Sequence, residues 1–167
     1  MIVLSGTLAI AILIAAFTDG SSAQKAMPSA SGSALVGAIQ VERAWTRQPP
    51  PGAKVAAAYA TITNTGTRPD RLIGGGIAHA ERVEVHTMSM EGGVMRMARL
   101  DDGLTIEPGE TAVLAPGGPH LMLIGIGNAP RAGSTVPLTL RFERAGEVTV
   151  AIPVAPVGAR SAPEHDH

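Results

Sequence analysis

The chain has 167 residues, of which 45% are hydrophobic and 16% are charged, and its formal net charge is −1. This length fits one domain with terminal extensions, and the near-neutral charge provides no basic surface for nucleic acid or an anionic membrane. The sequence contains no cysteine, which excludes disulfides and thiolate metal sites. Any chemistry with a soft metal must therefore use methionine sulfur.

The N-terminal segment predicts export from the cytoplasm. Residues 2–17 form an apolar run that is shorter than the roughly 20 residues needed to span a bilayer. We predict a signal peptide over residues 1–23 and a periplasmic location, with an uncleaved membrane anchor as the alternative because no Lys or Arg precedes the apolar run. Residues 24–36 are predicted to be a flexible linker, and residues 156–167 a flexible tail.

Residues 37–155 are predicted to form one all-β domain. Short runs rich in Val, Ile, Leu and Thr alternate with turn sequences rich in Gly, Pro, Asn and Asp. No stretch of ten or more residues after the apolar run shows a helical period. About ten short strands indicate an antiparallel Greek-key barrel or sandwich. The predicted strands are 37–46, 56–64, 70–77, 82–90, 94–100, 104–106, 111–115, 120–126, 136–143 and 147–154.

The segment VEVHTMSMEGGVMRM, residues 83–97, holds one histidine and four of the seven methionines. We predict a β-hairpin with Gly92 and Gly93 as its two-residue turn. The side chains that alternation places on one face are Glu84, His86, Met88, Met90, Met95, Met97 and Arg99. The predicted cross-strand pairs are Met90 with Met95, Met88 with Met97 and His86 with Arg99. His86 and Met97 are then diagonal neighbours within side-chain reach.

A second pair of candidate ligands follows in the sequence APGGPHLML. His120 and Met122 would share one face of a strand, while Leu121 and Leu123 would face the core. Imidazoles and thioethers together suit Cu(I), whereas thioethers bind Zn²⁺, Mg²⁺ and Ca²⁺ poorly. A single histidine on a strand is more often solvated, and a single methionine more often fills a gap in the core. It is the joint pattern on two strands that favours a soft-metal site.

These residues resemble the signature of the periplasmic copper(I) chaperone family called PCuAC. That signature is His or Met, ten residues, Met, twenty-one residues and His-x-Met. Here ten residues separate His86 from Met97, whereas twenty-two separate Met97 from His120. The flanking sequence over residues 37–154 resembles the family as well, and the additional residue is expected in the turn near LDDGL.

The resemblance implies a cupredoxin-like β-barrel that binds one Cu(I) ion at an exposed site. The ligands it implies are His86, Met97, His120 and Met122. It also implies delivery of copper to the CuA centre of cytochrome c oxidase, with the apo CuA subunit, a Sco-type thiol protein, or both as partners. Four neutral ligands would leave a charge of +1 on the ion and would disfavour Cu(II). We expect neither a nucleic-acid partner nor a small-molecule substrate.

The sequence leaves open several alternative roles for single residues and for the whole protein. Met88 and Met90 could form a soft rim that assists transfer of the ion, or they could pack over the hairpin. His165 and His167 in the tail could bind a second ion. The alternative functions are copper buffering or resistance, and a secreted β-sandwich that contacts proteins through its methionine face and binds no metal. Enzyme activity is not expected, because the sequence shows no nucleophile–base pattern or phosphate-binding loop.

Overall fold

The computed structural model describes residues 32–163. The predicted signal peptide, residues 24–31 of the predicted linker and residues 164–167 of the predicted tail lie outside this range. The described chain forms eleven β-strands and no helix, and it includes all ten predicted strands. The strands are β1 (Ala34–Val36), β2 (Ile39–Arg47), β3 (Val55–Asn64), β4 (Asp70–Ile77), β5 (Arg82–Glu91), β6 (Val94–Arg99), β7 (Leu104–Ile106), β8 (Thr111–Leu114), β9 (His120–Ile124), β10 (Thr135–Phe142) and β11 (Gly146–Ala155).

Strand β1 is not predicted by the sequence. It falls within the range assigned to a flexible linker, and that assignment is wrong for residues 34–36. Gly37 has a φ of 56°, a left-handed conformation that glycine adopts without a steric penalty. The chain therefore reverses there, and β1 pairs antiparallel with β2, with Val36 opposite Ile39. Three residues are too few to show an alternating pattern in the sequence.

The first part of the predicted C-terminal tail also lies against the barrel. Ala159 and Ala162 pack on the buried cluster of Trp45 and Tyr59. The Arg47 side chain donates a hydrogen bond to the carbonyl oxygen of Ala159 across 3.3 Å. Residues 156–163 thus differ from the flexible tail predicted for them, because small apolar side chains there cover an aromatic pair.

The described strands form one sheet that closes on itself. The order of hydrogen-bonded strands is β1-β2-β11-β10-β4-β5-β9-β3-β8, with β6 paired to β5 and β7 paired to β4. Because β2 also pairs with β3, the path from β2 through β11 and β5 back to β3 completes a barrel. The β11–β2 pairing is parallel, and the other pairings among these strands are antiparallel. The predicted all-β barrel is confirmed.

Alternation along β5 and β9 separates a core face from an outward face. Val83 and Val85 on β5, and Leu121 and Leu123 on β9, are buried in the main hydrophobic core. The inward orientation predicted for the two leucines is therefore confirmed. Since successive side chains point to opposite faces, the intervening histidine and methionine side chains point away from the core, on the outer face of the barrel wall.

The β5–β6 hairpin has the predicted register. The observed pairs include Met90 with Met95, Met88 with Met97 and His86 with Arg99. Gly92 and Gly93 have φ values of 58° and 81°, as a two-residue turn with both central residues left-handed requires. Every residue of β6 is exposed, so this strand lies at the surface of the barrel.

Candidate metal centre

Strands β6, β5 and β9 lie side by side and carry the predicted ligands. His86 on β5 is opposite His120 on β9, and Met88 on β5 is opposite Met97 on β6. Met122 shares the outward face of β9 with His120. The ring centroids of the two histidines are 6.0 Å apart, and their planes are inclined by 37°. The two rings are therefore neighbours on the outward face of the β5–β9 pair.

The two ring nitrogens of His86 have different surroundings. Nε2 lies 3.0 Å from Oε2 of Glu84, and a carboxylate can only accept, so Nε2 carries the proton. Nδ1 is buried and has no hydrogen-bond partner. Leaving a buried polar atom unpaired costs about 1–3 kcal/mol, and a metal ion bound at Nδ1 would satisfy it. The His86 ring thus fits a metal ligand that coordinates through Nδ1.

His120 is held by the backbone instead of by a carboxylate. Its side chain is buried, and its Nδ1 lies 2.9 Å from the carbonyl oxygen of Gly118. The carbonyl accepts, so Nδ1 is the donor and Nε2 holds the lone pair. Gly117, with a φ of 87°, lies in the turn that brings this carbonyl within hydrogen-bond distance of Nδ1. His120 would therefore coordinate through Nε2.

The methionines adjoin an open cavity of about 520 Å³ on the outer face of the barrel. Its lining includes Met88, Met97, His120 and Met122, whereas His86 does not line it. Met97 is 50% exposed, and Met122 is half-buried. A bound ion held by these side chains would therefore be open to an incoming ligand through the cavity.

The structure separates the remaining methionines of the hairpin into two groups. Met88 is half-buried and lines the cavity beside Met97, which fits the predicted soft rim. Met90 and Met95 are 66% and 51% exposed, and neither lines the cavity. Of the two methionines proposed for the rim, only Met88 has the position that the role requires.

No other ligand cluster competes with this one in the described chain. Within residues 32–163, no three His, Asp or Glu side chains are grouped closely enough to hold a metal ion. His165 and His167 lie outside the described residues, so the second site predicted for the tail stays a prediction.

The sequence pattern predicts no role for Glu84, although the structure places its carboxylate beside His86. Its carboxylate accepts a hydrogen bond from His86 and another from Arg82, and these bonds lower the pKa of Glu84. Glu84 lies two residues before His86 on the same strand, so alternation does place both side chains on one face. Alternation does not tell whether that carboxylate contacts the imidazole or extends into solvent.

Comparison with known proteins gives a family and a set of structural relatives. A family model described as "Putative lipoprotein LpqE-like" matches residues 39–154, from β2 to the end of β11. "Putative lipoprotein Lxx21020" from Leifsonia xyli subsp. xyli is 33% identical over 116 residues, which are 70% of this chain and 69% of the relative.

Two solved structures are similar over most of the chain. The copper-bound PCuAC domain from PmoF2 is 34% identical, with a TM-score of 0.65 over 74% of this chain and 97% of that domain. The solution structure of Cu(I)-bound DR1885 from Deinococcus radiodurans is 30% identical, with a TM-score of 0.58 over 80% of this chain and 85% of that protein. The predicted cupredoxin-like fold is therefore confirmed.

Proposed function

Since this chain belongs to the LpqE-like family of PCuAC-type domains, we propose that it is a copper chaperone that binds one Cu(I) ion and carries it outside the cytoplasm. The proposed ligands are His86, Met97, His120 and Met122. The observation that carries this proposal is the facing pair of histidines. Each ring has one nitrogen occupied by a hydrogen bond and the other without a protein hydrogen bond, on a surface that also carries thioethers.

The donor set supports Cu(I) over other ions. Thioether sulfur is soft and uncharged, and it favours Cu(I), whereas Cu(II) prefers harder nitrogen and oxygen donors. The nearest carboxylate, that of Glu84, already accepts hydrogen bonds from Arg82, Arg99 and His86. The site therefore offers four neutral ligands and no anionic one.

The surface position of the site supports transfer of the ion to another protein. Met97 is half-exposed on β6, and Met88 and Met97 both adjoin the open cavity. An incoming thiolate could displace a thioether from the ion step by step, and copper would stay in the +1 state throughout. We propose the apo CuA subunit of cytochrome c oxidase, a Sco-type thiol protein, or both as the acceptor.

An extracytoplasmic location is supported by the relatives. The family and the curated relative are both described as lipoproteins. We further propose that residues 1–23 form a signal peptide and that the copper-binding domain extends over residues 37–155. The described part of the chain contains no apolar helix of membrane-spanning length.

The proposal is tested by Cu(I) competition against a chromogenic chelator, under reducing anaerobic conditions, with the protein lacking its first 26 residues. We expect one bound equivalent. The double variant Met97→Leu, Met122→Leu should bind roughly 100-fold more weakly, which corresponds to about 2.8 kcal/mol. The matched control Met90→Leu, Met95→Leu removes two thioethers outside the cavity and should bind as the unmodified protein does.

Two results would contradict this site. If the unmodified protein takes up no Cu(I), the exposed methionine face would be assigned to protein contacts. If the two double variants lose affinity equally, the cavity methionines have no special role in binding. Circular dichroism of all variants verifies that the barrel is intact.

A further inference from the structure

We infer that Glu84 is a positioning residue of the copper site, which holds the ring and the tautomer of His86 so that Nδ1 is presented to the ion. The inference rests on the proposed copper function. It concerns a side chain outside the four proposed ligands.

The hydrogen bond between His86 and Glu84 fixes the tautomer of the His86 ring. Neutral imidazole carries its proton on one nitrogen and a lone pair on the other. The 3.0 Å contact between Nε2 of His86 and Oε2 of Glu84 selects the tautomer protonated at Nε2. Nδ1 is then left with its lone pair, and it is this nitrogen that is buried without a partner. A carboxylate that orients a ligating histidine in this manner also raises the basicity of the ring.

The Glu84 side chain is itself held in place by two arginine side chains. Its other oxygen, Oε1, accepts hydrogen bonds from Nε of Arg82 at 2.8 Å and from Nη1 of Arg99 at 3.2 Å. The Glu84 side chain is only 11% exposed, although both arginine side chains are more than half-exposed. Three donors thus fix one carboxylate, and a fixed carboxylate can hold the ring in one orientation.

Glu84 also connects its own strand, β5, to β6. Arg99 lies on β6, directly opposite His86 in the hairpin ladder, and Met97 precedes it by two residues on the same face. The contact from Arg99 to Glu84 therefore ties together the strand that carries His86 and the strand that carries Met97. Glu84 consequently restrains two proposed ligands from different strands.

The two histidines are thereby oriented by different means. The ring of His120 is held by the backbone carbonyl of Gly118, which no side-chain substitution removes. The ring of His86 depends on the side chain of Glu84. Substitution of Glu84 should therefore affect one histidine and leave the other unchanged, and this difference gives an internal reference.

The test compares Glu84→Ala and Glu84→Gln with the unmodified protein. Nitrogen-15 NMR of the copper-free protein reports which ring nitrogen of each histidine carries the proton. We expect His86 to be protonated at Nε2 in the unmodified protein, to become a mixture of tautomers in Glu84→Ala, and to be partly restored in Glu84→Gln, whose amide oxygen can still accept. His120 should keep its Nδ1 proton throughout.

The same proteins are then titrated with Cu(I) in the presence of the competing chelator. Glu84→Ala should bind at least tenfold more weakly, in the range of about 10–100-fold observed for removal of groups that orient metal ligands. The matched control is Glu91→Gln, which removes a carboxylate from the same strand. Glu91 pairs with Arg96, and both side chains are about two-thirds exposed. It should bind Cu(I) as the unmodified protein does.

The outcomes separate this inference from the proposed function. If the unmodified protein binds no Cu(I), both are overturned. If it binds Cu(I) and Glu84→Ala keeps the same affinity and the same His86 tautomer, only the role of Glu84 is overturned. Should Glu84→Ala fail to fold, Glu84→Leu supplies the decisive comparison, because it fills a similar volume and offers no hydrogen-bond acceptor to His86.

Discussion

At the scale of single residues, the contacts of each side chain decide whether it can serve the site. Met88 and Met97 are cross-strand neighbours and both line the cavity, yet only Met97 belongs to the proposed ligand set. Glu84 is inferred to shape the site without touching the ion. Its function follows from three hydrogen bonds that no spacing in the sequence reveals.

Met88 should affect the rate of transfer more than the affinity. In Met88→Leu, side-chain volume is nearly conserved while the thioether is lost. We expect Cu(I) affinity to stay within about threefold, equal to less than about 0.7 kcal/mol, and release to a thiol acceptor to slow several-fold. Stopped-flow transfer to a chromogenic dithiol measures this rate. An affinity loss comparable to that of the Met97→Leu, Met122→Leu variant would instead make Met88 a ligand.

Tyr59 should make the stability of the barrel depend on alkaline pH. Burial raises the pKa of Tyr59 above its ordinary value of 10.0, and the neighbouring Arg47 only partly opposes this. The unfolded chain therefore loses the phenolic proton first, so the free energy of unfolding falls as pH rises above about 10. Urea unfolding at pH 8 to 11 should show this decline, and Tyr59→Phe should decline less steeply. Equal slopes would contradict the assignment.

At the scale of the elements, the sequence predicts features that depend on neighbouring residues better than it predicts pairings between distant strands. The ten predicted strands and the β5–β6 register follow from alternation and from the Gly92–Gly93 turn, which are properties of neighbouring residues. The pairing of β5 with β9 joins residues far apart in sequence. His120 opposite His86 could therefore not be obtained from spacing alone, and the resemblance to a known family provided that relation. Strand β1 escaped prediction because it is so short.

The conformation of the β5–β6 turn should affect the affinity for Cu(I). Gly93 and Gly109 have φ values of 81° and 76°, and a Cβ on either would meet nothing within 4 Å. Either Gly→Ala substitution should thus cost about 1–2 kcal/mol of backbone strain. Only Gly93→Ala lies in the turn that sets Met97 against β5, so only that variant should weaken Cu(I) binding. Chelator competition and urea unfolding of both variants measure the difference.

At the scale of the whole molecule, the proposed copper site and the hydrophobic core occupy opposite faces of the same strands. Leu121 is fully buried, whereas its neighbours His120 and Met122 border the external cavity. Truncation of Leu121 should therefore lower the stability of the barrel, whereas substitution of a proposed ligand should lower the affinity for Cu(I).

Copper should stabilise the folded protein by mass action. A ligand that binds only the folded state adds about 4.1 kcal/mol to the free energy of unfolding when its free concentration is 1,000 times Kd. Anaerobic thermal unfolding with buffered Cu(I) should show a Tm that rises with free copper. The Met97→Leu, Met122→Leu variant should need correspondingly more copper for the same rise. A Tm independent of copper in the unmodified protein would contradict binding to the native barrel.

The inward valines of β5 indicate whether the fold depends on the bound metal. In small zinc domains the metal supplies the free energy of folding, so that surrender of the metal means loss of structure. Here Val83 and Val85 are anchored in a core that contains none of the proposed ligands, so we expect the protein to keep its fold when it releases the ion. If it is the proposed carrier, each molecule would then be emptied and refilled repeatedly, and a few copies would move many ions.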